Sequence, residues 1–276
     1  MARQGGPHPI FSNFSVVENL VIGWVFPRFK QKFQKTDSNF RLNRPYCARL
    51  PRNPIVNLLD DDTSTRSRIV LAALRIFATR GFEAASLREI TSAAQVNIAA
   101  IHYHFGSKDA LVQEVLRVVS EPINRMRREA LARVPAHREP TMEEVVEALI
   151  APPVRLSFDA TGEWRLLIRL LIQARALPRA STNAAIFEQY DALASDFVDA
   201  LMGAQPALGR EEAYWRYAFA IGAMMYIVSD ADETYHRLHR ISGGLCDTDD
   251  PERIVAQLVA FIAAGMRAAA PAGTPL

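Results

Sequence analysis

Two cysteines in 276 residues, Cys47 and Cys246, supply neither a disulfide framework nor a zinc cluster, and the chain reads as a protein of a reducing cytoplasm. Thirteen glycines and sixteen prolines are too few for a fibrous or largely disordered chain. Long apolar runs are missing too. The best, Phe14 to Phe26, is interrupted by Glu18, Asn19 and Gly23, so it is too short to span a bilayer, and it lacks the basic start and cleavage site of a signal peptide. No Walker loop, dinucleotide fingerprint, nucleophile elbow or zinc-ligand spacing is present, so no catalytic residue, cofactor or metal is expected. His102 and His104, with Tyr103 and Asp109 nearby, are titratable, but positions two apart on a helix point in different directions. They make neither a metal pair nor an acid–base pair.

What the chain does have is an uneven charge. The net value of +2 hides nine basic against two acidic residues over 1–59, three consecutive aspartates at 60–62, six basic against two acidic over 63–108, and an acidic excess from 109 onward. A basic segment joined to an acidic body is the layout expected when only one part approaches a polyanion. Residues 1–62, cut by Pro7, Pro9, Pro27, Pro45, Pro51 and Pro54, read as an irregular basic extension. Two readings of it stay open: an arm that follows DNA, or a segment ahead of the true start of translation.

From Thr63 on, apolar residues recur at three- and four-residue steps with no strand alternation, which predicts an all-α fold. A first helix is expected over Thr65–Arg80, burying Ile69, Ala72, Ala73, Ile76 and Phe77 and ending at a left-handed Gly81. Ser86 with Glu89 forms a capping box that starts a short second helix ending near Gln95. Asn97 caps a third, which packs Ile101 and Phe105 and stops at Gly106. Two short helices joined by a tight turn and backed by a longer one form the unit that sets a recognition helix in the major groove. Ile98, Ala99, Ala100, His102 and Tyr103 are then expected toward base edges or phosphates, with His104 as a further donor and Lys108 as a charge for the backbone. Ser86 and the start of the second helix are expected to hold a phosphate, and Arg66 to add a flanking contact.

The run from Ile69 to Phe82, then Ser86-Leu-Arg-Glu-Ile90, then Val96-Asn-Ile-Ala-Ala-Ile-His-Tyr-His-Phe-Gly-Ser-Lys108, closely resembles the TetR family of repressors. The resemblance implies DNA contacts at Ser86, at Asn97 through Ala100, at Tyr103 and His104, and at Lys108. It departs from many members at Gln95, where they carry glycine in the turn, and at His102, where they carry tyrosine. It also implies a head over 63–108 and a helical ligand-binding and dimerisation body over 109–276. In the body, helices are expected over Asp109–Val134 (kinked or divided at Pro122), from a Thr141/Glu144 capping box to Ile150 with Pro152 and Pro153 closing it, and over Glu163–Ala176, Ser181–Met202, Arg210–Asp230 and Pro251–Ala269. Phe158, Trp164, Ile168, Arg169, Ile172 and Arg175 are the expected ligand contacts, and Trp215, Phe219, Gly222 and Met225 the expected dimer face.

The function this implies is a ligand-responsive transcriptional regulator, a homodimeric repressor released from a palindromic operator by a small lipophilic molecule such as a fatty acid or acyl-CoA. The alternatives are an activator of the same fold, or a helical interaction protein that does not bind DNA.

Overall fold

The computed structural model describes residues 64–134, 138–159, 163–176, 180–230 and 236–269. The extension expected over 1–62, with Cys47, lies outside them. The described residues form ten α-helices and no strand, so the protein is all-α. The first three are α1 (Thr65–Ala84), α2 (Leu87–Ala94) and α3 (Ile98–Phe105). Ser64 starts α1 by accepting the Ser67 amide, and α1 buries Ile69, Val70, Ala73, Leu74 and Phe77 along one side. Ile90 of α2 and Ile101 of α3 are fully buried in the same core.

The break expected after Arg80 is present but differs in form. Helical geometry fails at Gly81 and then resumes to Ala84. Gly81 has φ 80° and ψ 167°, which is the extended positive-φ region that only glycine enters freely, not the left-handed cap conformation. The turn brings Phe82 back onto Phe77, with ring centroids 5.4 Å apart. It also leaves room for the body, because a Cβ on Gly81 would lie 2.7 Å from Nε2 of Gln173.

Helix α4 (Lys108–Ala132) starts at Ser107, whose hydroxyl accepts the Ala110 amide, and runs through Pro122 as one helix. Helix α5 (Met142–Ser157) corrects the expectation that Pro152 and Pro153 close it, since both lie inside it. A proline at 153 removes the donor that would pair with the Leu149 carbonyl. Nε of Arg127 on α4 fills that place at 2.7 Å. The helix is thus repaired from outside, and tertiary packing outweighs the proline penalty. Apolar on almost every side, α5 sits centrally against α4, α6 (Glu163–Ala176), α7 (Ala180–Ala204), α8 (Arg210–Asp230) and α10 (Pro251–Arg267). A short α9 (Arg237–Ile241) precedes α10. Asp250 caps α10 with Pro251 in its first turn, as expected. Arg216 secures the other end of α10, donating to the Gly265 and Met266 carbonyls at 2.9 and 2.6 Å while pairing with Glu212. Helix α6 packs on both α1 and α4, and so joins the body to the head.

The capping box at Thr141 makes stability depend on pH. Arg138, hydrogen-bonded to Glu144, and the Thr141 amide and hydroxyl pull the Glu144 carboxyl down to about 2, from 4.5 when free. A carboxyl with a depressed folded pKa contributes its full stabilisation above its unfolded value and loses it as pH falls toward the folded one. Hydrogen bonds from Ser86, and pairing with Arg267 and Arg155, lower Glu89, Glu143 and Glu252 in the same direction. Thermal melts are therefore expected to fall steadily from pH 4.5 toward about 2, with a shallower slope for Glu144→Gln.

Candidate nucleic-acid interface and ligand cavity

Helix α3 is short, and its position is fixed from both ends. Oδ1 of Asn97 accepts the Ala100 amide at 3.0 Å, and the Gly106 amide donates back to the Ile101 and His102 carbonyls. Ile101 holds it to the core, assisted by half-buried Ala100 and Phe105. The outward face carries Asn97, Ile98, Ala99, His102 and Tyr103, and Tyr103 is 86% exposed. Ala100 turns toward the core rather than outward. His104 is half-buried with its ring 5.0 Å from that of Tyr103, so it backs the outward face rather than forming it.

Both departures noted in the sequence have a geometry. Gln95 takes the left-handed conformation with φ 54°, the angle glycine supplies in many relatives. Its carbonyl accepts a hydrogen bond from Arg68 at 2.9 Å, which ties the turn to α1. A left-handed non-glycine residue costs about 1 kcal/mol, so Gln95→Gly is expected to raise the urea midpoint by a corresponding amount without changing the head's structure. At His102, Nδ1 donates to the Gly106 carbonyl at 3.1 Å, leaving Nε2 as the ring's remaining polar atom, an acceptor in the neutral form.

Three expected contacts are already engaged elsewhere. Arg66 pairs with Glu114 at 2.9 Å and lies over the Phe105 ring, bracing α1 against α4 behind the recognition helix. Nζ of Lys108 donates to the Glu83 carbonyl at 3.3 Å. The Ser86 amide and hydroxyl both donate to Glu89, so the amides open to an anion at the start of α2 are those of Leu87 and Arg88.

In the body, α4, α5, α6, α7 and α8 line a partly open cavity of about 110 Å³. Ile168, Ile172 and Arg175, three of the expected ligand contacts, line it, with Leu171 between them. Phe158, Trp164 and Arg169 stand outside it. Trp164 is buried in the core, Arg169 is exposed, and Phe158 lies under the Arg165 guanidinium at the end of α5. Sequence reasoning missed Arg127, Tyr190 and Tyr217, all on the cavity wall. The signal was available for Arg127, which continues the apolar stripe of Val119 and Ile123 at a four-residue step. Burial pushes both tyrosine hydroxyls above their ordinary pKa, partly offset by the neighbouring Arg127, and pulls the Arg127 guanidinium down.

On the opposite side of α8, Trp215 (58% exposed), Phe219 (65%), Gly222 and Tyr226 make an exposed stripe at four-, three- and four-residue steps. Phe261 of α10 is 71% exposed. Met225 was expected in this stripe, but the helical phase turns it to the cavity, and Tyr226 takes its place.

Residues 69–115 match the model for bacterial regulatory proteins of the tetR family, and 147–265 match that for the tetracyclin repressor-like C-terminal domain. The chain belongs to the TetR family. The regulator UidR of Escherichia coli K12 is 29% identical over 127 residues, 45% of this chain and 59% of UidR. This chain therefore spans about three-fifths of the length of the curated relative. The repressor KstR2 of Rhodococcus jostii is 38% identical over 61 residues, 21% of this chain and 30% of KstR2. The crystal structure of the fatty acid degradation regulator FadR from Bacillus halodurans superposes with a TM-score of 0.55 at 14% identity, covering 75% of this chain and 98% of FadR. That likeness shows a shared fold across head and body. The TetR family comprises transcriptional regulators rather than enzymes.

Proposed function

We propose that this TetR-family chain is a dimeric, ligand-responsive repressor that sets α3 in the major groove of an operator in the cytoplasm. The observation that carries the reading is the two-sided character of α3, anchored by Ile101 while Asn97, Ile98, Ala99, His102 and Tyr103 face outward. Small Ala99 permits close approach, Ile98 suits thymine methyls, and the polar side chains suit base edges and phosphates. The exposed aromatic stripe on α8, with Phe261, is the face on which a second copy packs, so that two heads read two half-sites. The ligand occupies the body cavity as a small lipophile, with fatty acids and acyl-CoA thioesters the first classes to test. KstR2 of Rhodococcus jostii is named a repressor, which supports repression over activation.

A gel-shift titration of the full chain on DNA upstream of its own gene, across a salt series, tests this. Binding is expected at low salt and should weaken as salt rises through counterion release. Tyr103→Ala should weaken it about tenfold or more by losing groove contacts, with an unchanged melting temperature because that side chain is exposed. No shift at low salt, or an unaffected variant, would reject the reading.

A further inference from the structure

The cavity wall holds a cation with no anion. Arg127 is 3% exposed, and among the described residues no carboxylate lies against it. Its Nε is fixed by the Leu149 carbonyl at 2.7 Å and its Nη2 faces Sδ of Met224 at 3.6 Å, while no partner among the described residues engages Nη1. The other polar groups on the wall are exposed Arg175 and the phenols of Tyr190 and Tyr217. Burial keeps both phenols protonated, so they are donors and supply no counter-charge. A guanidinium keeps its proton at neutral pH, and leaving one buried and unpaired is costly. The remainder of the wall is aliphatic.

Resting on the reading of the body as a sensor, we propose that its ligand is a compact apolar carboxylate whose anionic head pairs with Arg127, with Tyr190 and Tyr217 as additional donors. Planar guanidinium and carboxylate match as a two-bond fork. The backbone bond to Leu149 holds the guanidinium in place before the ligand arrives, so little ordering is left to do on binding. Size follows from the volume. A dry cavity of about 150 Å³ takes one benzene ring, so about 110 Å³ suits a single ring or short chain, and a longer tail would extend out of the cavity's open side.

The test is calorimetric titration and thermal shift of the full chain with benzoate and hexanoate, each beside its uncharged amide. Wild type is expected to bind at least one of the acids and to bind the matching amide about thirtyfold or more weakly, the range seen when one member of a buried charge pair is lost. Arg127→Lys should retain part of the affinity and Arg127→Gln should lose it. The acid–amide comparison in wild type keeps the proposal testable even if the variants unfold. Equal binding of acid and amide, or no binding of either acid, overturns it. Operator release is read separately. An acid that binds without releasing DNA supports the anchor and defeats the sensor reading, while an amide that releases DNA when the acid does not defeats the anchor and spares the sensor.

Discussion

Phe219→Glu is expected to convert the protein from dimer to monomer and to abolish tight operator binding while leaving the fold intact. The side chain is 65% exposed in the single chain, so a carboxylate there meets water and costs the monomer little. On the dimer face proposed above, the same carboxylate would be buried in an aromatic layer with Trp215, Tyr226 and Phe261. Loss of an aromatic anchor costs about 2 kcal/mol or more. Symmetry counts it twice, so the dimerisation constant should fall about a thousandfold. Sedimentation velocity reads the mass directly. Because one head alone makes half the contacts, gel-shift affinity should fall in parallel. A variant that stays dimeric would place the interface elsewhere.

The second large effect is expected in the head. Phe77 is fully buried on α1 and packs on Phe82. Phe77→Ala should cost about 3–5 kcal/mol, since a ring-sized void cannot close around so few helices. Urea denaturation followed by circular dichroism measures this, and operator binding should weaken as the head opens. A loss under about 1 kcal/mol would mean that the three helices are held together by other contacts.

These two expectations differ in how far they can be read from sequence. The head is legible because its determinants are local: the Ser86–Glu89 box, the Asn97 cap and the Gly106 stop each act within a few residues of where they are written. Phe77 and Ile101 follow from helical phase alone. The body is less legible because its decisive contacts are long-range. Pro152 and Pro153 read as a stop, yet a guanidinium from another helix lets α5 continue. The same arginine stands in helical phase with buried Val119 and Ile123, but its polar type masks its place in the core. Met225 and Tyr226 show the limit of phase arguments on a helix apolar all round, where one position separates cavity from exposed face. Engagement of Arg66 and Lys108 within the protein was likewise invisible, because residue type states what a group can donate and not to whom.

The joint at Gly81 constrains which substitutions the protein can accept. Its φ and ψ are closed to any residue with a side chain, and its vacant Cβ position is occupied from the other side by Gln173. Glycine is therefore required by the backbone, whereas the Gln173 amide, at the end of a flexible side chain, can give way. Gln173 lies between cavity-lining Ile172 and Arg175 on α6, so the neighbour of this joint belongs to the helix that lines the pocket. The joint of the head and the wall of the pocket thus share one helix, α6, as their common neighbour.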